Sequence, residues 1–215
     1  MTILCIETST SVCSAAICKD GKPVKQCINR EGSNHARLLP CYVEELLSFA
    51  REQHLSIDAV ALSEGPGSYT GLRIGTSTAK GLCYGLNIPL IPVPTLHILC
   101  AAAQVTNTRL CPMIDARRME VYTTDANGKA RAVVVERAED LYAGDEEIAY
   151  FGDGAEKCQS VLTAPNWHYI PDIVPEAQYM AELAETLPKV TDIAYYEPYY
   201  LKEFIAAQSH VKGLK

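Results

Sequence analysis

The feature that most restricts the fold of this chain is a three-stranded start followed by alternating helix and strand patterns. Residues 2–7, 12–18 and 23–28 form apolar, strand-like stretches, and the Asp-Gly of KDGK is typical of a tight hairpin turn. The elements predicted next are a helix over 35–53, a strand over 58–63, a helix from about Thr70, a strand over 88–93 and a helix over 95–103. This βββαβαβα order predicts a mixed sheet with helices packed on it.

The second half of the chain begins again with strand-like stretches. We predict strands over 110–115, 119–125, 131–136 and near 148–152, and helices over 154–162 and 176–187. Two similar lobes are typical of the actin/Hsp70 superfold, also called ASKHA or RNase H-like. The predicted fold class is therefore α/β, with duplicated βββαβα lobes and mixed sheets. We place the N-terminal lobe at 1–103 and the C-terminal lobe at 104–215, and we expect the tail to pack back on the first lobe.

Composition and charge argue against several classes of protein. The 215-residue chain has a net charge of -7, which is unfavourable for nonspecific binding to nucleic acid. Its start, MTILCIETSTS, has no basic region or long apolar core, and no run reaches the ~18 apolar residues that span a membrane. We therefore expect a cytoplasmic protein. Nine cysteines without a CxxC pair predict reduced, buried thiols rather than zinc ligands.

The stretch GPGSYTGLRIGTSTAKGLCYG, residues 65–85, carries more glycine than a helix normally contains. Each interior glycine costs a helix about 1 kcal/mol relative to alanine. On a helical wheel one face reads Gly71, Gly75, Thr78 and Gly85, with Ile74 and Gly81 at its margin. Two interpretations stay open at this point. The face packs closely on the chain's own sheet or first helix, or it is kept smooth for a partner helix.

Known nucleotide and metal motifs are missing from the sequence. Neither the P-loop pattern GxxxxGK[ST] nor the dinucleotide pattern GxGxxG occurs, which argues against both classes. Ser68 and Thr70 fit the role of helix caps better than that of nucleophiles. His35 is a lone histidine at a helix start and HExxH is absent, so we predict no metal site and no catalytic residue.

Five stretches spread over the chain share one resemblance. The most specific is GPGSYTGLRIG, and the others are ILCIETSTSVCSAAI, NHARLLPCYVEELL, MIDARRMEVY and EPYYLK. Together they resemble the bacterial TsaB family, also called YeaZ. Its members are non-catalytic subunits in making N6-threonylcarbamoyladenosine (t6A) at adenosine 37 of tRNAs that read ANN codons. The resemblance implies that this chain pairs with the catalytic paralogue TsaD, works with the ATPase TsaE, and meets tRNA only through that complex.

The resemblance also implies a pairing surface. In this family the first two helices of the N-terminal lobes form a bundle between TsaB and TsaD, and without TsaD the same surface can pair two copies as a homodimer. The residues expected in the contact are Leu39, Val43, Leu46, Leu47, Thr70, Gly71, Arg73, Ile74, Gly75 and Thr78. We expect no membrane contact and no cofactor of its own, since ATP hydrolysis belongs to TsaE and a metal to TsaD.

The residues themselves favour a nucleotide pocket that has been lost. Active members of the superfold hold ATP phosphates in glycine-containing loops, but the corresponding loops here, Glu7–Ser11 and Asp115–Met119, contain no glycine. We predict a remnant of the pocket at Thr8, Ser9, Asp115, Arg117, Gly152 and Gly154. Three alternatives remain. An active ATP-dependent small-molecule kinase of the same superfold predicts ATP turnover by the isolated protein, and a glycoprotease-like metallopeptidase predicts metal-dependent proteolysis. The third, a chaperone-like binding protein outside tRNA modification, rests on fold analogy alone.

Overall fold

The computed structural model describes residues 1–32 and 34–202, and its first half forms one five-stranded mixed sheet. The strands are β1 (Thr2–Glu7), β2 (Cys13–Lys19), β3 (Lys22–Asn29), β4 (Ala59–Gly65) and β5 (Leu90–Pro94). Their order in the sheet is β3-β2-β1-β4-β5. The first three pair antiparallel, whereas β4 runs parallel to β1 and β5 parallel to β4. The predicted meander and the predicted mixed sheet are both confirmed.

Helices cover both faces of this sheet. The helices α1 (His35–Glu52) and α2 (Tyr69–Leu86) pack on one face, and α3 (Thr95–Ala103) packs on the other. Alternation along β1 explains the two layers, because successive side chains of a strand point to opposite faces. Leu4 and Ile6 belong to the core under α1 and α2, and Ile3 and Cys5 belong to the core on the α3 side.

The second half repeats the sheet topology of the first. Its strands are β6 (Arg109–Pro112), β7 (Ile114–Asp115), β8 (Glu120–Thr124), β9 (Ala130–Val134), β10 (Ile148–Phe151) and β11 (Trp167–Ile170). The strands β7, β8 and β9 form an antiparallel meander, and β10 runs parallel to both β6 and β11. Since only Met113 separates β6 from β7, the two small sheets follow the same strand order as the large one. The predicted duplication holds for the strands.

The helices of the second half differ from the prediction. The helix expected over 154–162 is a three-residue 3-10 helix, Glu156–Cys158, and the strand β11 that follows it was missed. The helix expected over 176–187 is split into a 3-10 helix, Ala177–Met180, and a four-residue α4, Leu183–Thr186. Side chains of the first lobe fix the start of the 3-10 helix, because Ser14 and Gln26 accept hydrogen bonds from the backbone N–H groups of residues 177 and 178.

The last described part of the chain, residues 176–202, returns to the first lobe, and we call it the C-terminal strap. Glu176 anchors it: this carboxylate is 2% exposed, accepts hydrogen bonds from Gln26 and Gln178 at 2.8 Å, and forms an ion pair with Arg30. Further along, Val190 pairs with Leu90 in both directions through backbone hydrogen bonds. The division of the chain at residue 103 remains a prediction.

Candidate functional site

The glycines at the start of α2 pack against the chain's own β1–β2 loop. A methyl group added at Gly67 would lie 2.8 Å from Cβ of Ser9, and one at Gly71 would lie 3.2 Å from the carbonyl carbon of Thr8. Each would also overlap the backbone oxygen of the same loop residue. At Gly75 an added methyl group would overlap Oγ1 of Thr8. Of the two interpretations of the glycine-rich face, close packing on the chain itself therefore holds for Gly71 and Gly75.

Half of the expected pairing residues are buried inside the chain, so the expectation is wrong for them. Leu39 and Leu46 are 0% exposed and Val43 is 7% exposed, and all three lie in the core between α1 and the sheet. Gly71 and Gly75 are buried under the β1–β2 loop. The apolar stripe of α1 faces its own sheet, so these five residues are core residues of the chain. They offer no surface to a second protein.

The other five expected pairing residues are exposed or half-buried, but they lie on two edges of α2. Thr70 and Ile74 line a groove with the first residues of α1, and Leu47 and Ile74 pack at the edge of the core under the two helices. Thr78 is half-buried on the same side of α2 as Ile74. Arg73 lies on the opposite edge, in a groove that it shares with Pro198 and Tyr200 of the C-terminal strap. We call the first of these surfaces the α1/α2 face.

The expected pairing residues leave out two glycines that lie on the α1/α2 face, Gly81 and Gly85. Nothing lies within 4 Å of a methyl group added at Gly81 or Gly85, and both residues are exposed. A signal for this was present in the sequence: Leu72, Ala79 and Cys83 mark the buried arc of α2, and the wheel places Gly81 far from that arc. The glycines of α2 therefore lie on two sides of the helix: Gly71 and Gly75 on the buried side, and Gly81 and Gly85 on the exposed side.

The loop that would hold a phosphate in an active relative is tied to the start of α2. Oγ1 of Thr8 donates to the carbonyl oxygen of Gly71 at 2.8 Å, and the backbone N–H of Ser68 donates to the carbonyl oxygen of Ser9 at 2.6 Å. Oγ of Ser68 also accepts from the backbone N–H of Gly71 at 3.3 Å, which confirms the predicted cap at Ser68. Polar groups of this loop are thus engaged inside the protein.

Glu7, the last residue of β1 and the first of this loop, is a buried carboxylate. Its Oε1 accepts hydrogen bonds from the backbone N–H and the hydroxyl of Ser9, and its Oε2 has no partner among the described residues. Burial raises the pKa of Glu7 from 4.5 to about 7, and the two bonds from Ser9 oppose this shift. Asp153 of the second lobe raises the pKa of Glu7 further by charge repulsion. Near neutral pH this group is therefore partly protonated.

A cleft of about 450 Å³ separates the two lobes, and part of the predicted pocket remnant lines it. Ser9, Asp115 and Arg117 are on its wall. Thr8 is 0% exposed, so its side chain does not reach the cleft. Methyl groups added at Gly152 and Gly154 would meet backbone atoms of 113–115 at 3.1 Å or less, so these two glycines allow close packing within the second lobe.

The described residues contain no cluster of three or more His, Cys, Asp and Glu side chains that could hold a metal ion. The Nε2 of His35 lies 2.9 Å from the carbonyl oxygen of Thr10, so this histidine ties α1 to the β1–β2 loop. All nine cysteines are free thiols; seven are buried, Cys100 is half-buried and Cys41 is exposed, which departs from the prediction of buried thiols. Within the described part of the chain, no helix is both long and apolar enough to cross a membrane.

Comparison with known proteins gives one consistent set of relatives. A family model described as "TsaD: tRNA N6-adenosine threonylcarbamoyltransferase" matches residues 29–149. The tRNA threonylcarbamoyladenosine biosynthesis protein TsaB of Bacillus subtilis (strain 168) is 28% identical over 206 residues, which cover 91% of this chain and 86% of that protein. The protein of the same name from Escherichia coli (strain K12) is 39% identical over 124 residues, or 57% of this chain and 53% of that protein.

Solved structures agree with these relatives. The structure "YeaZ from Pseudomonas aeruginosa" superposes with a TM-score of 0.73 at 26% identity, and the match covers 93% of this chain and 99% of that one. A second structure, of an uncharacterized protein with similarity to peptidase YEAZ from Pseudomonas aeruginosa, gives a TM-score of 0.75 at 25% identity, covering 94% and 99%. The likeness thus extends over both lobes.

Proposed function

Because the chain belongs to the family described by the TsaD model and resembles the TsaB proteins over nearly its full length, we propose that it is a TsaB-type subunit of t6A biosynthesis. In this role it pairs with TsaD and, together with TsaE, forms the complex that transfers the threonylcarbamoyl group to adenosine 37 of tRNA. It is not an enzyme itself. TsaD carries the catalytic site and its metal, and TsaE hydrolyses ATP.

The observation that carries the non-catalytic role is the closed β1–β2 loop. Backbone oxygens of Thr8 and Ser9 lie directly against α2, and the backbone N–H of Ser9, a residue of the cleft wall, already donates to Oε1 of Glu7. The second loop, Asp115–Met119, also has no glycine at the cleft wall. A cradle for a triphosphate needs backbone N–H groups that are free and accessible. We therefore expect the chain to bind no nucleotide in the cleft and to need no cofactor of its own.

The α1/α2 face is the surface we assign to TsaD. Few large side chains stand on its outward side, where Ile74 lies on the same side of α2 as the open positions Gly81 and Gly85, and Leu47 of α1 packs at the edge of the same core. Helices approach most closely where small residues replace long side chains, so a helix pair from TsaD can pack here. When TsaD is absent, a second copy of the chain presents the same helices and can take its place as a homodimer.

Reconstitution tests this proposal. Purified TsaD, TsaE, an activated threonylcarbamoyl donor and unmodified tRNA are incubated with and without this chain, and t6A is measured by mass spectrometry of digested tRNA. We expect modification only when the chain is present, and no ATP hydrolysis by the chain alone. Equal t6A formation in its absence would contradict the assignment, and ATP turnover by the isolated chain would favour the kinase alternative.

A further inference from the structure

The edge of α2 that faces away from α1 alternates aromatic, cationic and hydroxyl side chains. Tyr69, Arg73, Ser77, Lys80 and Tyr84 are spaced i, i+4, i+8, i+11 and i+15, which places them along one side of the helix. Arg73, Ser77 and Tyr84 are exposed, and Tyr84 reaches 89% exposure. This edge is separate from the α1/α2 face, and we call it the α2 edge.

The C-terminal strap forms the second wall of a groove along the α2 edge. Nζ of Lys80 donates to the carbonyl oxygens of Ala194 at 2.8 Å and Tyr196 at 3.1 Å, which holds the strap beside the helix. The rings of Tyr69 and Tyr200 pack with their centroids 5.1 Å apart. The resulting groove has a volume of about 320 Å³.

The groove is lined by two cations, Arg73 and Lys80, and by one carboxylate, Glu197, so the charged side chains on its walls leave it net positive. Neither Arg73 nor Lys80 has a carboxylate within 4.0 Å among the described residues. Arg73 uses NH1 to donate to the hydroxyl of Tyr69 at 2.7 Å, and its guanidinium lies 5.4 Å from the centre of that ring. A guanidinium has five N–H donors and an ammonium three, so donors remain on both side chains.

Two exposed rings lie on the strap side of the groove. Tyr200 is 37% exposed and Tyr195, next to the carbonyl oxygens that Lys80 binds, is 86% exposed. Cations that alternate with exposed aromatic rings are the pattern by which proteins hold single-stranded nucleic acid, since the cations meet phosphates and the rings stack on bases. Arg73 and Lys80 lie about 10 Å apart along the helix axis, a spacing suited to a strand with several phosphates.

We propose that the α2 edge and the strap form a contact site for single-stranded RNA. The site rests on the proposed function only for the identity of the RNA, which would be the exposed loop of the tRNA that is modified. It revises the expectation that tRNA is met only through the other subunits. The net charge of -7 keeps nonspecific binding weak, so the contact adds to the affinity of the complex and does not capture tRNA by itself.

Fluorescence anisotropy with the isolated full chain tests the site directly. The probe is a fluorescein-labelled 12-nucleotide single-stranded RNA at low salt, and AMP and a double-stranded RNA serve as competitors. We expect Arg73→Gln to weaken binding and to reduce the slope of log K against log salt by about one, as for one lost phosphate contact. Tyr84→Ala is expected to weaken binding about fivefold or more, and Tyr84→Phe to preserve it, because the ring provides the stacking surface.

Arg51→Gln is the matched control, since it removes an exposed cation from the last turn of α1. Circular dichroism checks that each variant is folded. The proposal is overturned if wild-type chain shows no binding at 100 micromolar, if Arg51→Gln weakens binding as much as Arg73→Gln, or if AMP or duplex RNA competes as well as the single strand. None of these outcomes depends on TsaD, so the result is independent of the reconstitution assay.

Discussion

Alanine substitutions at two glycines of α2 are expected to change stability in opposite directions. In an exposed helix interior, alanine is favoured over glycine by about 1 kcal/mol. A methyl group at Gly81 meets nothing within 4 Å, so Gly81→Ala should realise this gain. For a chain of this size, 1 kcal/mol corresponds to a rise in Tm of about 2–4 °C.

Gly71→Ala carries the same gain in helix propensity but meets the protein backbone. The new methyl group would overlap the carbonyl oxygen of Thr8 and lie 3.2 Å from its carbonyl carbon and 3.4 Å from Cβ of Ser68. These are not flexible chain ends, so either the β1–β2 loop or α2 must shift. Overpacking of this kind costs about 1–3 kcal/mol or more, which exceeds the propensity gain.

Differential scanning calorimetry at pH 7 measures both variants against the wild-type chain. The expected result is a higher Tm for Gly81→Ala and a Tm for Gly71→Ala that is lower by several degrees. Both variants replace a glycine of α2 by alanine, so the difference between their Tm values reports the contact of residue 71 with Thr8. If both raise Tm equally, α2 does not pack on the β1–β2 loop as described, and the explanation of its glycines fails.

Two further predictions concern buried carboxylates. Because the pKa of Glu7 is raised from 4.5 to about 7 in the folded chain, its ionisation opposes folding, so stability should fall as pH rises from about 4.5 to 7. Glu7→Gln should remove this fall, so it should stabilise the chain at pH 8 by up to about 3 kcal/mol and have little effect at pH 4. Thermal melting of both proteins over this pH range measures the difference. An equal difference in Tm at pH 4 and pH 8 would contradict the burial of Glu7. Glu176→Ala should destabilise the strap by about 2 kcal/mol or more, because Gln26 and Arg30 lose their buried acceptor. Protease digestion should then cut the strap earlier than in wild type, whereas Glu45→Gln, which breaks the exposed ion pair with Lys25, should leave digestion unchanged.

Local signals were sufficient to predict the sheets. The Asp-Gly turn at 20 and 21 fixed the β2–β3 hairpin, and the apolar run before Gly65 identified β4. Each of these signals acts over a few neighbouring residues. The 3-10 helix at Ala177–Met180 depends instead on Ser14 and other side chains far away in sequence, which take up backbone N–H groups there. No local pattern contains that information.

The glycine face illustrates the same limit at the candidate site. A helical wheel shows that Gly71, Gly75 and Gly85 lie near one another, but it does not show which arc of the helix faces the sheet. The position of the buried arc was available from Leu72 and Ala79, which are apolar and lie next to Gly71 and Gly75 on the wheel. Weighting the apolar residues above the glycines would have pointed to the proposed partner surface at Gly81 and Gly85.

The central claim is that the α1/α2 face binds TsaD, and analytical ultracentrifugation of mixtures with purified TsaD tests it most directly. Gly81→Leu adds a bulky side chain on this face, and Ser160→Leu adds the same side chain at an exposed position of the second lobe. Wild-type chain and Ser160→Leu should sediment as a complex with TsaD, while folded Gly81→Leu should remain separate. The claim is contradicted if wild-type chain forms no complex, or if Gly81→Leu pairs with TsaD as tightly as Ser160→Leu does.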